Sequence, residues 1–351
     1  MPSTASASVT HSRKHRYIAA CFLPQVLFVT LGIGVYLGGY WLLLTIVFLM
    51  VGVPLLDLLT GWQDTVKYEK GDFTSTELFL LHWNTRLYAV LYMASVVGIA
   101  LSLHRFDGLE IGLLIGSVGL MGGIGFGASH ELLHGKEKID QVIQRFTTTF
   151  LFYPHYKLIH IRSHHIHAGT DHDENTAWLN ESIYSYIVRT IPGSMIRSWL
   201  LEARRSSAGT PILKNKMTTY AVGQIALLLG LYIFSGVWGL LFYLAHVLVA
   251  HLVLESVNYI QHYGLLREKN DGEYEKTGPE HSWDTYHYFS SFITFRVGHH
   301  SYHHIAVKPY YLLVTEPEAP KLPMGYFWAI PIVLLPPLWR RMINPRLKAA
   351  A

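Results

Sequence analysis

The chain of 351 residues contains a single cysteine, Cys21. One cysteine cannot form a disulfide framework, and it cannot supply the thiolates of a four-cysteine iron site or of a built-in rubredoxin or iron–sulfur module. The sequence also lacks a glycine-rich dinucleotide fingerprint after a predicted strand, so no site that accepts hydride is predicted. Any redox chemistry in this protein would therefore depend on electrons from a separate protein.

Charged residues are scarce as well. Asp, Glu, Lys and Arg make up 15% of the chain, half of its residues are hydrophobic, and its mean hydropathy is +0.24. This composition is typical of a membrane protein. The net charge of +4 is weak evidence for nucleic-acid binding, because basic residues in a membrane protein are more naturally topology signals. We therefore expect contact with membrane lipid and no nucleic-acid partner.

Six apolar stretches approach the length of about 20 residues with which a helix spans a bilayer. Short connections at 38–40, 104–108 and 235–236 join them in pairs, which is the pattern of helical hairpins. The sequence thus predicts an all-α integral membrane protein with six transmembrane helices. The stretches run from about Tyr17 to Leu37, Trp41 to Leu59, Leu87 to Leu103, Ile111 to Ser129, Thr218 to Phe234 and Val237 to Leu254.

Lys and Arg concentrate before the first stretch, between the fourth and fifth, and at the C-terminus. By the positive-inside rule both termini are cytoplasmic, and the membrane is expected to be a bacterial inner membrane or, in a eukaryote, the endoplasmic reticulum. The proline-broken run 329–339 is too short to span and is expected at the interface. The predicted organisation is a disordered basic N-terminus (1–16), four transmembrane helices (17–129), a cytoplasmic histidine-rich region (130–216), two transmembrane helices (217–258) and a cytoplasmic histidine-rich C-terminal region (259–351).

Histidine is the residue that the chain has in excess, with 21 copies against 24 acidic residues. Three clusters hold histidines at spacings of three or four residues, which on a helix bring imidazoles onto one face, where they can converge on a metal ion. Imidazole ligands without thiolates suit Fe, Zn, Cu and Ni, and so many of them indicate more than one ion. The clusters are His130-Glu131-Leu132-Leu133-His134, His160-Ile161-Arg162-Ser163-His164-His165 and His300-Ser301-Tyr302-His303-His304.

A fourth element continues from the end of the sixth stretch. His251, Glu255, Asn258 and His262 follow one another at helical spacing. This spacing would bring His262 to the histidine-rich cap from the membrane side.

Other interpretations of single clusters stay open. An H-x3-H pair on a surface helix can be exposed to solvent without binding a metal ion. A histidine within a span can hydrogen-bond a neighbouring helix. The first cluster also spells H-E-x-x-H, the signature of zinc metalloproteases with Glu131 as the base. A protease would need only one further ligand and would leave the other clusters unexplained.

The histidine clusters resemble those of the alkane 1-monooxygenases and xylene monooxygenases, within the membrane fatty-acid desaturase and hydroxylase superfamily. The H-x3-H, H-x3-HH and H-x2-HH set is the superfamily signature, and the segment 258–264 looks like the extra histidine motif of the hydroxylase branch. The likeness extends over most of the chain. It includes Pro54–Asp57, Glu181–Tyr184, His281–Trp283 with His287, and Pro336–Trp339.

This resemblance implies a non-haem centre of two iron ions in a cytoplasmic histidine-rich cap. It implies O2 and a hydrophobic small molecule as substrates, and electrons from rubredoxin or a ferredoxin-type donor with its reductase. The implied reaction hydroxylates a terminal or methyl C–H bond of an alkane or alkyl-aromatic hydrocarbon to a primary alcohol. The implied ligands are His130, His134, His160, His164, His165, His262, His300, His303 and His304.

Several positions depart from the pattern of the alkane branch. That branch usually has Gly at Leu133, Arg at His299, Asp at Tyr302, and Asn at Asp284 and Tyr286. Residues 170–178 and 316–323 look more like the xylene branch. The same irons could also serve a fatty-acyl desaturase or decarboxylase, and a metal transporter is a weaker alternative because most histidines lie outside the predicted spans.

No catalytic residue is predicted beyond the metal ligands. Four carboxylates are expected to hold imidazole N–H groups, because ionisable side chains beside a membrane metal site usually orient its ligands. The six spans should also enclose an apolar channel from the bilayer to the metals, beside the glycines at 122, 123, 125 and 127, whose alternative role is close helix packing. The carboxylates are Glu131, Asp173, Glu255 and Asp284.

Overall fold

The computed structural model of the protein describes residues 4–62, 67–205 and 214–350. Most of these residues are helical, and their only sheet is a hairpin of β1 (Lys269–Asn270) and β2 (Glu273–Tyr274). The predictions for residues 1–3 of the N-terminus and for 206–213 in the histidine-rich region fall outside the described residues. The helices are α1 (Thr4–Cys21), α2 (Val26–Leu37), α3 (Leu44–Val47), α4 (Val53–Thr60), α5 (Ser75–Ser102), α6 (Gly108–His134), α7 (Lys138–Phe150), α8 (Tyr156–Ile159), α9 (His165–His167), α10 (Ile183–Arg205), α11 (Lys216–His262), α12 (Tyr288–Ile293), α13 (His300–Ile305), α14 (Tyr326–Val333) and α15 (Pro336–Ala350).

Long apolar helices make up the membrane-compatible part of the described chain. Four are long and apolar enough to cross a bilayer: Gly39–Thr60, Ser75–Arg105, Gly108–His134 and Lys216–His262. The N-terminal helices Ser12–Cys21 and Leu23–Leu37, bent by 41° to each other, make a fifth if they form one span. By length and composition the described residues therefore give four or five candidate spans, where the sequence pattern predicts six.

Helix α11 accounts for much of this difference. Gly236 has φ of 67° inside it, a left-handed conformation that glycine adopts readily and that breaks the helix. Gln224 Nε2 donates a hydrogen bond of 3.1 Å to Tyr243 Oη. In a straight helix residues this far apart in sequence would lie roughly 28 Å from each other, so the hydrogen bond requires the chain to fold back at Gly236. The predicted connection at 235–236 is therefore present between two helical legs.

The N-terminus differs from its prediction. Helix α1 begins at Thr4, whereas the composition predicts disorder through residue 16. At its far end Tyr17 Oη donates a hydrogen bond of 2.8 Å to the carbonyl of Tyr311, and Lys14 pairs with Glu77 at 3.0 Å. These contacts to distant parts of the chain hold the end of the helix, which composition alone could not reveal.

Helices α6 and α11 pack closely because α6 presents glycine to its partner. A Cβ atom added at Gly123 would lie 2.3 Å from Val253 Cγ1, and one at Gly119 would lie 2.4 Å from Val249 Cβ. Such distances are far below van der Waals contact, so a larger residue would force the two helices apart. Of the two roles predicted for the glycines of α6, close packing is present at Gly123, which also lines an apolar cavity described below.

Helix α14 packs into the core of the described chain. Its residues Tyr326, Phe327 and Ile330 are buried and pack near α11. Gln261 Nε2 donates a hydrogen bond of 2.8 Å to Tyr326 Oη and ties α14 to the last turn of α11. The run 329–339 is too short to span but packs against other elements through Ile330, Val333 and Trp339. Its expected place at the membrane interface stays a prediction.

Candidate metal centre

The nine histidines singled out by the sequence lie in two groups. Within each group, one ring nitrogen of every histidine lies within 4.8 Å of one from every other member. No other residue of the described chain belongs to either group. The first histidine group is His130, His134, His160, His165 and His303, and the second histidine group is His164, His262, His300 and His304.

The ends of three elements bring these residues together. Helix α6 ends at His134 and carries His130 one turn earlier, so both rings point to the same side. Helix α11 ends at His262, and the short helix α13 carries the last three histidines. Two long apolar helices therefore deliver their final turns to one place, where the shorter elements complete each group.

A π-helical turn at His160–His164 decides how the middle cluster is divided. In an α-helix, with about 3.6 residues per turn, residues five apart diverge around the axis. The wider π turn brings them together, and His165 Nε2 lies 2.9 Å from His160 Nε2. His164 points instead to the second histidine group. Helical spacing predicts that His160 and His164 share one metal ion, and the structure places them in different groups.

The ring nitrogens lie so close together that hydrogen bonds between them cannot pair every lone pair with a proton. His165 Nε2 lies 2.9 Å from His160 Nε2 and 3.2 Å from His303 Nε2, and His300 Nε2 lies 3.0 Å from both His262 Nε2 and His304 Nε2. A neutral imidazole has one donor and one acceptor nitrogen, so three such atoms converging on one point leave lone pairs facing each other.

Two further nitrogens strengthen this argument. His130 Nε2 and His134 Nε2 are buried and have no hydrogen-bond partner among the described residues. Unpaired buried polar atoms are costly, and native proteins hold few of them. A cation at the centre of each group would satisfy these lone pairs, so the donor sets fit metal ions.

The two groups adjoin each other. The ring centroids of His165 and His304 are 4.9 Å apart, and those of His160 and His164 are 5.3 Å apart. Each of these pairs joins one member of the first histidine group to one of the second. Two ions held by these groups would therefore be neighbours in one centre.

Of the four carboxylates predicted to hold imidazoles, Asp173 does so. Its Oδ2 lies 3.0 Å from His164 Nδ1 and accepts a hydrogen bond of 2.9 Å from Thr176 Oγ1. A carboxylate at this position fixes the ring orientation and makes the opposite nitrogen a better ligand. His262 Nδ1 is held instead by the backbone carbonyl of His281, at 3.3 Å.

The other three carboxylates have different surroundings. Asp284 accepts hydrogen bonds from Ser301 N at 2.8 Å and Ser301 Oγ at 2.6 Å, so it holds the start of α13 rather than a ring. Glu131 accepts a hydrogen bond of 3.0 Å from the backbone N–H of Tyr310. Glu255 is fully buried, and its carboxylate has no hydrogen bond to an imidazole of the described chain. The expectation of an imidazole partner is wrong for these three residues, since closeness to a histidine motif in the sequence does not fix where a side chain points.

An apolar cavity reaches the centre from one side. It has a volume of about 650 Å³ including its open mouth, and α6, α11 and α14 supply most of its wall. His130 and His160 of the first histidine group and His164 and His300 of the second line it. Sequence reasoning missed the contribution of α14, because Phe327 and Ile330 lie far along the chain from every histidine motif. The remaining wall includes Gly123, Phe126, Gly127, Val253, Leu254, Val257, Asn258, Gln261 and Thr294.

A second opening, which we call the vestibule, reaches the centre from a polar side. Its volume is about 1360 Å³ when the open solvent at its mouth is included, and it is lined by His134 of the first histidine group and by Glu131. Three exposed lysines, Lys70, Lys136 and Lys308, stand around it. The acidic residues Glu137 and Asp140 also line it, and both pair with Arg86, at 2.9 Å and 2.7 Å.

Burial keeps the imidazoles in their neutral, metal-binding form. Burial, followed by the neighbouring rings of the groups, lowers the pKa of His165 to about 3. The same causes hold the pKa values of His160, His300, His303 and His304 well below the ordinary value. Neutral imidazole is the form that binds a metal ion.

These shifts give a pH dependence for the metal-free chain. Because the pKa values are lower in the folded state, the unfolded state binds more protons, and stability is full above about pH 6.5 and falls as the pH falls below it. Each such group adds at most about 1.4 kcal/mol per pH unit. We expect the thermal midpoint of the metal-free protein to fall between pH 7.5 and 5.5. A midpoint that stays constant or rises over this range would contradict the burial of neutral rings.

Comparison with known proteins agrees with this geometry. Residues 109–316 match the family profile described as fatty acid desaturase. Alkane 1-monooxygenase 2 of Pseudomonas aeruginosa is 30% identical over 99% of this chain and 95% of its own length. The chain belongs to the alkane 1-monooxygenase family. Another member, alkane 1-monooxygenase 2 of Alcanivorax borkumensis, is 31% identical over 96% of this chain and 91% of its own length.

The chain is also similar to a protein whose name gives a different substrate. The xylene/toluene monooxygenase hydroxylase component of Pseudomonas putida is 29% identical over 90% of this chain and 85% of its own length. The likeness to both kinds of protein covers 90% of the chain or more. The membership predicted from the histidine motifs is thus confirmed.

Proposed function

We propose that this chain is a membrane non-haem di-iron monooxygenase that hydroxylates a terminal or methyl C–H bond of a hydrocarbon to a primary alcohol. The observation that carries the proposal is the apolar cavity whose inner end is lined by histidines of both groups. A hydrocarbon offers no group for polar recognition, and a site for it must consist of apolar walls. The names of the similar proteins, alkane 1-monooxygenases and a xylene/toluene monooxygenase component, support this substrate class.

The first and second histidine groups would each hold one iron ion. The nine imidazoles of the two groups together exceed what one tetrahedral zinc ion can use, which argues against the protease alternative. When bound, the two irons would supply the activation of O2 that no side chain can perform. Asp173 would keep His164 in the tautomer that leaves Nε2 free for the metal.

The protein's own part is to exclude water and to aim the substrate. Phe126, Val257 and Ile330 line the cavity and leave little polar surface beside a bound chain. A long, narrow hydrocarbon would enter with its tip toward the histidines, so a terminal carbon would reach the metals before an internal one. Selectivity for the primary position would then report on positioning rather than on bond strength.

Six spans with a cytoplasmic cap remain our proposal for the topology. If the bent N-terminal pair forms one span, the two legs of α11 on either side of Gly236 bring the number to six. The histidine-bearing ends of α6 and α11 lie together, so they belong to the same side of the membrane. The basic residues between the fourth and fifth stretches favour the cytoplasm for that side.

The vestibule is the place where we propose that a separate electron donor docks, of the rubredoxin or ferredoxin type. It brings solvent next to His134, whereas the cavity approaches the centre from the apolar side. Arg86 balances only one of the two negative charges of Glu137 and Asp140. The three lysines exceed the charge that remains, so the rim is suited to an acidic partner. Complementary charge of this kind speeds encounter more than it tightens the complex.

Charge reversal at the rim tests this docking. Lys70→Glu, Lys136→Glu and Lys308→Glu together should raise the KM for an acidic donor protein roughly tenfold at low salt, because they replace attraction with repulsion. The effect should shrink as ionic strength rises. The matched control combines Lys214→Glu, Lys269→Glu and Lys276→Glu, which reverse the charge of three exposed lysines outside the vestibule. Steady-state kinetics with varied donor checks both, and equal effects in the two proteins would place the donor elsewhere.

Labelled oxygen tests the reaction itself. The purified, iron-loaded chain is supplied with an electron-transfer system, a hydrocarbon panel and 18O2, and the products are analysed by mass spectrometry. We expect a primary alcohol that carries one labelled oxygen atom. An unlabelled alkene as the main product would decide for a desaturase.

A further inference from the structure

Helix α10 lies outside the candidate spans and nevertheless presents an apolar face to the exterior. Val188 is 75% exposed and Ile196 is 57% exposed, while the opposite side of the helix buries Tyr186, Thr190 and Ser194. An exposed apolar stripe on an amphipathic helix marks contact with a membrane or a partner. The exposed face consists of Tyr184, Val188, Met195, Ile196, Trp199 and Leu200.

Basic residues from five elements meet at the C-terminal end of this helix, around the buried Glu202. Arg162 Nη1 lies 3.8 Å and Arg205 Nε lies 3.5 Å from Glu202 Oε1. The backbone N–H of Lys216 donates a hydrogen bond of 3.4 Å to Glu202 Oε2. Lys216 is also the first residue of α11, which is a candidate span, so this point lies at the end of a membrane helix.

Positive charge at this place exceeds what Glu202 can balance. Burial lowers the pKa of Lys157, and the nearby positive charges of Lys216 and Arg145 lower it further. The side chains of Arg162 and Arg205 remain 43% and 49% exposed. We call Arg145, Lys157, Arg162, Arg205 and Lys216 the cation cluster.

We propose that the cation cluster binds the phosphate group of an anionic phospholipid, with α10 lying in the membrane surface beside it. Guanidinium groups bind phosphate oxygens through paired hydrogen bonds, and basic pockets at the ends of membrane helices are suited to anionic headgroups. The apolar face of α10 adjoins the cluster and offers the acyl chains a surface that free phosphate cannot use. This site is separate from the reaction, because binding of lipid requires neither metal nor turnover.

Native mass spectrometry of the full-length chain in detergent tests the proposal. The chain is titrated with phosphatidylglycerol or phosphatidylcholine, and bound lipid is counted. We expect phosphatidylglycerol to be retained preferentially, and each cation removed to weaken its binding about fivefold. The variant Arg145→Gln with Arg205→Gln is compared with Arg16→Gln with Arg341→Gln, which removes the same charge from exposed positions outside the cluster.

Each outcome decides between a lipid site and an alternative. Equal retention of the two lipids by the wild-type chain, or equal weakening in the two double variants, would overturn the site. Displacement of the lipid by millimolar inorganic phosphate would show a free-anion site and overturn the lipid assignment. Ile196→Ser should weaken phosphatidylglycerol binding, since it removes acyl contact, and unchanged binding would separate α10 from the site. The wild-type comparisons need no variant, so a poorly folded variant leaves the test intact.

Discussion

Replacing His262 by alanine is expected to reduce turnover to background and to lower the bound iron to about one ion per chain. In the wild type, His262 Nε2 lies 3.0 Å from His300 Nε2 at the centre of the second histidine group. The variant leaves that group with three imidazoles. Loss of a ligand should lower the affinity for iron by more than the 10- to 100-fold that is typical when a hydrogen-bond partner of a ligand is removed. The helices should persist, because α11 packs along its length against α6 and does not depend on the metal.

The matched control is His172→Ala, since His172 is exposed and belongs to neither group. Elemental analysis and turnover are measured on both variants, with circular dichroism to compare helix content. His172→Ala should behave like the wild type. Full activity in His262→Ala would remove this residue from the ligand set.

A bulkier side chain in the cavity should abolish most hydroxylation while leaving the metals in place. Val257 lines the cavity on α11 and is half-buried, so phenylalanine at this position would occupy space that the substrate needs. One methylene in an apolar pocket changes rates about 10- to 200-fold, and an added ring should reach the upper part of that range. Iron content should stay the same as in the wild type, because Val257 contributes no ligand.

Leu248→Phe provides the control for this variant. Leu248 lies on the same helix but is 72% exposed, so the added volume faces outward. Turnover with a linear alkane and with an alkyl-aromatic hydrocarbon is compared in the two variants. Equal rates in the two variants would show that the substrate takes another route to the metals.

The sequence predicted the membership of both histidine groups without predicting their division. Regular helical spacing correctly marked His130 with His134 and His300 with His304. It failed at the middle cluster, because the π turn at His160–His164 separates two residues that an α-helix would place together. A local change in helical winding depends on packing in the folded chain, so spacing in the sequence could not reveal it.

The contacts of the carboxylates and the residues of the cavity wall were even harder to predict, because they depend on how the chain folds. Asp173 was correctly expected beside an imidazole, whereas Asp284 holds the backbone of α13. Ile330 reaches the cavity only because α14 packs beside α11. Apolar patterning indicated the helices, including the two legs of α11, but a proline-broken run gave no sign of where it would pack.

The metal content of the purified chain tests the central claim most directly. Nine imidazoles in two adjoining groups should bind two iron ions per chain, with little zinc, and both ions should be lost together with turnover when a strong chelator removes them. Elemental analysis by mass spectrometry, combined with the protein concentration from amino-acid analysis, gives the ratio. We predict a ratio close to two irons per chain. One zinc ion per chain without iron would contradict the di-iron centre and favour a protease.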